Sequence, residues 1–325
     1  MNRKTTLWFL NNISLVLLVI AFAGFSIANE RFFTWQNIEN IIKQSSYMGI
    51  IAVGMTFVLL AGGIDLSVGS TMFIAGVVSG KLILDMDCPI WLAILAAVAA
   101  GGVIGAINAV CIAELKMLPF LVTLSTMFAA RGLGAYITKS NLINYPREFT
   151  HLGSVRLLNI PVPVWIFIAV FVISLIILKF TPFGRQIYAI GNNADNARKA
   201  GIPSKKILLA IYIISGFLAA VGGVVSTIQI GQINTSFAEG YEFDAITAVV
   251  LGGTSLAGGI GDLFPGTLVG ILLIFVIQAG LVYMQVNIYL QPIITALILL
   301  IAVFIDTVRS GYIKRLGHRN IMEIK

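Results

Sequence analysis

The apolar positions of this chain lie in long continuous runs rather than on one face of each element. Most runs approach the ~20 residues that an α-helix needs to cross the hydrocarbon of a bilayer, and they are too long and too evenly apolar for barrel strands. The pattern predicts an all-α integral membrane protein. About ten transmembrane helices are expected, over residues 7–28, 46–62, 66–84, 90–113, 118–137, 161–179, 207–230, 245–258, 264–283 and 288–306.

The composition supports a membrane protein. Of the 325 residues, 58% are hydrophobic and 11% are charged, whereas soluble domains contain about 25% charged residues. The formal net charge is +7. Membrane topology and contact with anionic lipid account for this excess, so lipid is an expected partner and a nucleic acid is not.

One polar and basic stretch interrupts the apolar runs. Residues 179–206 hold six Lys or Arg against the single acid Asp195. Lys and Arg also collect at the N-terminus, with Arg3 and Lys4, and in the C-terminal tail. Because cytoplasmic segments are enriched in Lys and Arg, this stretch and both termini are predicted to be cytoplasmic.

The acidic loop 231–244 contains three carboxylates and no Lys or Arg, so it is predicted to lie outside. Six crossings then bring the chain from the cytoplasmic N-terminus to the basic stretch, and a seventh leads out to the acidic loop. The remaining three crossings bring the chain back to the cytoplasm, so all ten runs are used. Loop 138–160 departs from the rule, because it is predicted outside although it contains Lys139, Arg147 and Arg156.

Two segments share the pattern G-G-x-x-L-x-x-G, at 62–69 and 252–259. Paired glycines disfavour a continuous helix, and broken backbone at membrane depth requires protein or a wet cavity around it. Both segments are predicted to be helix breaks near a translocation pathway. Tight helix packing is the alternative, and it is weaker for the first segment because Asp65 is costly there without a role. The candidate pathway residues are Gly62, Gly63, Asp65, Ser67, Gly252, Gly253, Thr254 and Ser255.

Arg131 lies inside the fifth apolar run. A charge at that depth requires a buried partner or a wet cavity, and a structural pairing is the favoured explanation.

The basic stretch itself predicts a short helix. Asn192 and Asn193 are N-cap residues, Gly201 is a helix stop and Pro203 prevents resumption. A simple connection would need only about two to six residues, so the extra length suggests a docking element on the cytoplasmic surface. A helix held by anionic lipid is the alternative, which the lack of a bulky apolar face disfavours.

No other motif points to chemistry. The sequence contains no metal-ligand spacing and no clustered nucleophile, so no metal, cofactor or catalytic residue is predicted. It also lacks a G-x-x-x-x-G-K-[ST] phosphate loop. The chain is therefore expected to be a transport subunit rather than an enzyme, and any ATP hydrolysis is expected in a separate protein.

Four stretches resemble the permease subunits of ATP-binding-cassette importers for ribose and related monosaccharides. They are 53–70 (VGMTFVLLAGGIDLSVGS), 183–202 (FGRQIYAIGNNADNARKAGI), 241–259 (YEFDAITAVVLGGTSLAGG) and 290–306 (LQPIITALILLIAVFID). The likeness covers nearly the whole chain. It implies a single permease domain over 1–325 in the bacterial inner membrane, with a coupling segment at 181–206. Residues 259–267 depart from the usual family pattern by an additional residue and a proline.

The resemblance also implies partners. The short helix matches the element that couples such permeases to a cytoplasmic ATPase subunit, with Asn193, Ala194, Asp195, Ala197, Arg198, Lys199 and Gly201 as candidate contacts. A periplasmic sugar-binding protein is expected to dock near Glu239, Tyr241 and Glu242. A second permease, identical or paralogous, is expected to complete a dimer whose pathway lies on the two-fold axis. The competing hypothesis is an ion-coupled secondary transporter that uses Asp65.

Overall fold

A computed structural model describes residues 13–294, 296–298, 300, 301 and 304, and this part of the chain is mostly helical. The helices, in chain order, are α1 (Ile13–Ala28), α2 (Trp35–Leu60), α3 (Val68–Asp85), α4 (Ile90–Ala113), α5 (Pro119–Thr138), α6 (Arg147–His151), α7 (Val162–Phe180), α8 (Pro182–Asn192), α9 (Ala194–Lys199), α10 (Ser204–Ile230), α11 (Tyr241–Leu251), α12 (Leu268–Tyr283) and α13 (Ile288–Ile298).

Four two-residue strands form two small antiparallel pairs. One pair joins β1 (Ile143–Asn144) to β4 (Gln232–Ile233), and the other joins β2 (Arg156–Leu157) to β3 (Ile160–Pro161). Loop 138–160 therefore has structure of its own. Its Arg156 forms an ion pair with Glu39 of α2, which offsets part of the positive charge that conflicts with the topology rule.

Within the described residues, seven helices are long and apolar enough to cross a membrane: α2, α3, α4, α5, α7, α10, and α12 extended by the turn Leu263–Thr267. This confirms an all-α membrane protein. Helices α1 and α13 are apolar but shorter. The predicted cytoplasmic termini, with Arg3, Lys4 and the basic C-terminal tail, lie outside the described residues.

Helix α10 lies at the centre of the bundle and packs against α2, α3 and α4. Its closest neighbour is α4, because Gly101 and Gly105 face Gly216 without intervening side chains. Small residues let membrane helices approach this closely. Large side chains fill the remaining centre, and Phe57 and Tyr212 are almost completely buried.

Two predicted span boundaries are wrong. Helix α2 begins at Trp35 rather than near residue 46, because Thr34 caps it and the buried Asn37 side chain donates to the Phe32 carbonyl, at 2.7 Å. The predicted eighth span, 245–258, is not one helix. Helix α11 ends at Leu251 and has 11 residues, so it extends only about 16 Å of the ~30 Å of hydrocarbon.

Candidate coupling and translocation site

The coupling segment 181–206 contains two helices instead of the one that was predicted. Helix α8 begins where the Thr181 hydroxyl accepts a hydrogen bond from the Gly184 amide, at 3.3 Å, with Pro182 in the first turn. Its Ile187 and Ile190 are buried, so α8 lies against the bundle. The i, i+3 spacing of these two isoleucines after a Thr-Pro start was the signal that could have revealed it.

The predicted short helix is confirmed as α9. The Asn193 side chain caps it by accepting from the Asn196 amide, at 2.8 Å, and Gly201 ends the segment with φ of +79°. Ala197 is the one buried residue of α9. The candidate contacts Ala194, Asp195, Arg198 and Lys199 are all exposed.

Charges on α9 pair with each other along its surface. Arg198 lies 3.5 Å from the Asp195 carboxylate, one helical turn apart, and both side chains are more than 70% exposed. An exposed pair of this kind contributes little to stability. The polar face of α9 is therefore available to a partner protein.

The two glycine-rich segments form turns. Helix α2 ends at Leu60, and Gly62 follows with φ of +78°. Helix α11 ends at Leu251, after which Gly252 packs against the Gly266 backbone and Gly253 has φ of +93°.

These two turns meet each other and the end of α8. The Gly259 amide donates to the Leu60 carbonyl, at 2.9 Å, and the backbone of Gly191 contacts the same carbonyl. A Cβ placed on Gly258 would lie 2.8 Å from the Cα of Gly62. We call Gly62, Gly191, Gly258 and Gly259 the glycine joint. It brings the coupling segment into backbone contact with both turns.

A tyrosine adds a hydrogen bond beside the joint. The Tyr188 hydroxyl of α8 donates to the Gly261 carbonyl, at 3.0 Å. Burial raises the pKa of Tyr188, and the nearby Asp262 carboxylate raises it further. The hydroxyl therefore keeps its proton and remains a donor at neutral pH.

Both oxygens of the Asp65 carboxylate accept hydrogen bonds. One of its oxygens accepts from the Ser67 amide and hydroxyl, at 2.9 and 2.6 Å, and the other accepts from the Ser215 hydroxyl, at 2.7 Å. Asn108 donates to the Ser67 hydroxyl and accepts from Thr126, which links α3, α4, α5 and α10. Both oxygens of Asp65 are occupied, and its side chain is 1% exposed.

Arg131 is paired, as the favoured explanation requires. Its guanidinium donates to the carbonyls of Thr235 and Phe237, at 3.2 and 2.6 Å, and it lies over the Phe73 ring, 5.1 Å from the centroid. Arg131 lies about 18 Å along α5 from Pro119. Arg131 therefore ties the segment that precedes α11 to α5.

The three candidate docking residues have different environments. Glu239 is exposed. Tyr241 stacks on Tyr47 of α2 with centroids 5.7 Å apart. Glu242 is 4% exposed and lies against Gly69 of α3.

A cavity of about 710 Å³ opens beside the start of α11. Sequence reasoning missed it, because its walls come from distant parts of the chain. None of the eight candidate pathway residues lines it. The lining residues are Glu239, Gly240, Tyr241, Phe243, Asp244, Thr247, Gln278, Ile288, Gln291, Pro292 and Ala296.

A protein-family model and several known permeases match this chain over most of its length. Residues 37–303 match the family model of the branched-chain amino acid transport system / permease component. The chain is 40% identical to the ribose import permease protein of Haemophilus influenzae, with 90% of this chain and 92% of that protein covered. The corresponding Escherichia coli protein is 38% identical, with 93% and 95% covered.

The chain belongs to this permease family. Another relative, the D-allose transport system permease protein of Escherichia coli, is 35% identical, with 91% of this chain and 90% of that protein covered. No solved structure matches the fold.

Membership settles several predictions. The permease is a non-enzymatic transport subunit of an ABC importer and a multi-pass protein of the inner membrane. Its family implies a cytoplasmic ATPase and a periplasmic binding protein as partners. The comparisons support this function and not the ion-coupled alternative, and Asp65 is occupied by hydrogen bonds.

Proposed function

We propose that the permease forms the membrane path of an ATP-driven importer for a monosaccharide of the ribose type. The observation that carries this proposal is the 40% identity to a ribose import permease over nearly the full length of both chains. The chain also lacks a phosphate loop, so the energy is supplied by the ATPase subunit.

The topology proposed for the permease has ten crossings and cytoplasmic termini within one domain over 1–325. Seven long helices and the shorter α1 and α13 each supply one crossing. The eighth crossing in chain order is a composite of α11 and the irregular backbone that flanks it within the membrane. Broken backbone is tolerated at this depth because it is surrounded by protein and borders a cavity.

Coupling to the ATPase is assigned to α9. Its exposed polar residues, including Asp195 and Arg198, are accessible to a cytoplasmic protein, while Ala197 anchors the helix to the bundle. The glycine joint provides the connection inward, because a displacement of α8 acts directly on the turns after α2 and α11. The eight candidate pathway residues are accordingly assigned to this connection and its support.

Docking of the binding protein is assigned to the outer approach to α11. Glu239 carries this proposal because it is exposed, with the half-buried Tyr241 and the buried Glu242 next to it in the chain. A second permease, identical or paralogous, completes the pathway, and anionic lipid contacts the basic cytoplasmic surface.

Reconstitution tests the proposal. Proteoliposomes that contain the permease, its ATPase and its binding protein should accumulate radiolabelled ribose when ATP is inside. Omission of the ATPase, of the binding protein or of ATP should each abolish accumulation. Accumulation without the ATPase, or failure of the complete system with ribose, allose, galactose and arabinose, would overturn the proposal.

A further inference from the structure

The cavity beside α11 has the size and position of a ligand site. Its volume of about 710 Å³ lies within the ~300–1,000 Å³ of typical ligand pockets. It borders the first two turns of α11, the short helix that stands where a continuous eighth span was predicted. Broken helices at mid-membrane commonly form the substrate sites of transporters.

Two polar side chains lie next to each other on the cavity wall. The Gln278 amide of α12 donates to an Asp244 carboxylate oxygen of α11, at 3.4 Å. This bond is at the long limit of hydrogen-bond geometry. The pair thus retains an acceptor on Asp244 and a donor and an acceptor on Gln278, which suits a hydroxyl that both donates and accepts.

The neighbouring polar groups are positioned by the protein. Thr247 donates its hydroxyl proton to the Phe243 carbonyl, at 2.7 Å, so its oxygen remains as an acceptor. Tyr241 is held by its stacking on Tyr47 and by contact between the two hydroxyls, at 3.4 Å. Gln291 supplies a second amide from α13.

The remaining wall is apolar. Phe243, Ile288 and Pro292 line it, and the Phe243 side chain is 47% exposed. A sugar ring presents C–H faces as well as hydroxyl edges, so it requires this mixture of aromatic surface and scattered polar groups. A metal ion would require clustered ligands, and the described residues contain no group of three or more His, Cys, Asp or Glu suited to one.

We propose that this cavity is the monosaccharide subsite of the permease, in which Asp244 and Gln278 bind adjacent hydroxyls and Thr247 limits the size of the sugar. The inference rests on the proposed function, because it assumes that a sugar crosses this chain. It assigns the substrate contacts to residues that the sequence prediction did not include.

The test measures sugar uptake and ATP hydrolysis in parallel with the reconstituted importer. Asp244→Asn and Gln278→Leu should each lower the initial rate of ribose uptake about tenfold or more, the loss expected for one hydrogen bond to a charged group. ATPase stimulation by the loaded binding protein should stay within about twofold of wild type, because Asp244 and Gln278 belong neither to α9 nor to the proposed docking residues Glu239, Tyr241 and Glu242. Gln44→Leu is the matched control, since Gln44 is exposed on α2 and outside the cavity, and it should change neither rate.

A specificity measurement separates binding from a structural role. Thr247→Ser keeps the hydroxyl and removes one methyl group, so it should raise the ratio of allose to ribose uptake about threefold or more. If Asp244→Asn and Gln278→Leu lose uptake and ATPase activity together and Thr247→Ser leaves the ratio unchanged, the cavity is structural and the proposal is wrong. The proposal is also wrong if all three variants import ribose like wild type with an unchanged ratio. In both cases wild-type uptake of ribose leaves the proposed function intact, whereas wild-type failure with every sugar refutes the function itself.

Discussion

Substitution of Gly258 tests the glycine joint. Gly258 has φ of +86°, and an added Cβ would lie 2.8 Å from both the Cα and the amide nitrogen of Gly62. The left-handed backbone costs an L-residue about 1–2 kcal/mol, and a methyl group forced into packed backbone costs about 1–3 kcal/mol more. We therefore expect Gly258→Ala to lower the free energy of unfolding by about 2–5 kcal/mol, the sum of these two ranges.

Two alanine substitutions separate the contributions. Gly201 has nearly the same backbone conformation, with φ of +79°, but a Cβ added there would meet no atom within 4 Å. Gly201→Ala should thus show the backbone cost alone, about 1–2 kcal/mol. Gly102 is helical and also faces open space, so Gly102→Ala should be neutral or slightly stabilising.

The assay is thermal melting of the purified permease in detergent, followed by ribose uptake and ATPase activity of the reconstituted importer. Gly258→Ala should melt well below Gly201→Ala, and the surviving folded protein should hydrolyse ATP with reduced uptake, because the joint that transmits α8 movement is displaced. Equal melting temperatures for Gly258→Ala and Gly201→Ala, with normal uptake in both, would refute the joint.

Three further predictions concern charged groups. Asp195→Arg should leave the permease folded and inserted but reduce co-purification of the ATPase, because the substitution inverts charge on the exposed α9 face. Normal co-purification and transport would show that α9 does not contact the ATPase. Asp65→Asn should lower the free energy of unfolding by about 2–3 kcal/mol by leaving hydrogen-bond donors unpaired. The control Asp85→Asn, at an exposed ion pair, should melt like wild type. Equal melting temperatures for the two variants would contradict the hydrogen-bond network around Asp65. Arg131→Met should lower the free energy of unfolding by about 2–3 kcal/mol, since the partly buried carbonyls of Thr235 and Phe237 lose a charged donor, and it should increase protease cleavage within 231–240. Unchanged cleavage would show that Arg131 does not hold this segment.

The sequence was sufficient where local chemistry determines structure. Asn193 as a cap and Gly201 as a stop correctly delimit α9, because both act through backbone groups within a few residues. Continuous apolar runs likewise identified the long membrane helices, since the requirement for about 20 apolar residues is independent of tertiary context.

The sequence was insufficient where distant segments meet. Hydropathy did not predict that α2 begins at Trp35, because the first turns of the helix are polar. The hydrogen bond from Asn37 to the Phe32 carbonyl, which makes these turns possible, does not affect hydropathy. The glycine pattern marked two turns but not their contact with Gly191, which depends on how three helices end in space. The cavity was missed for the same reason, since Asp244 and Gln278 come together only through the packing of α11 on α12.

The source of energy is the central claim, and ribose uptake in the presence of an uncoupler tests it most directly. Vesicles that contain the permease, its ATPase, its binding protein and a maintained supply of ATP should import radiolabelled ribose at an unchanged rate after the uncoupler dissipates the ion gradients. Uptake that collapses while ATP is maintained would contradict the account and make the chain an ion-coupled transporter.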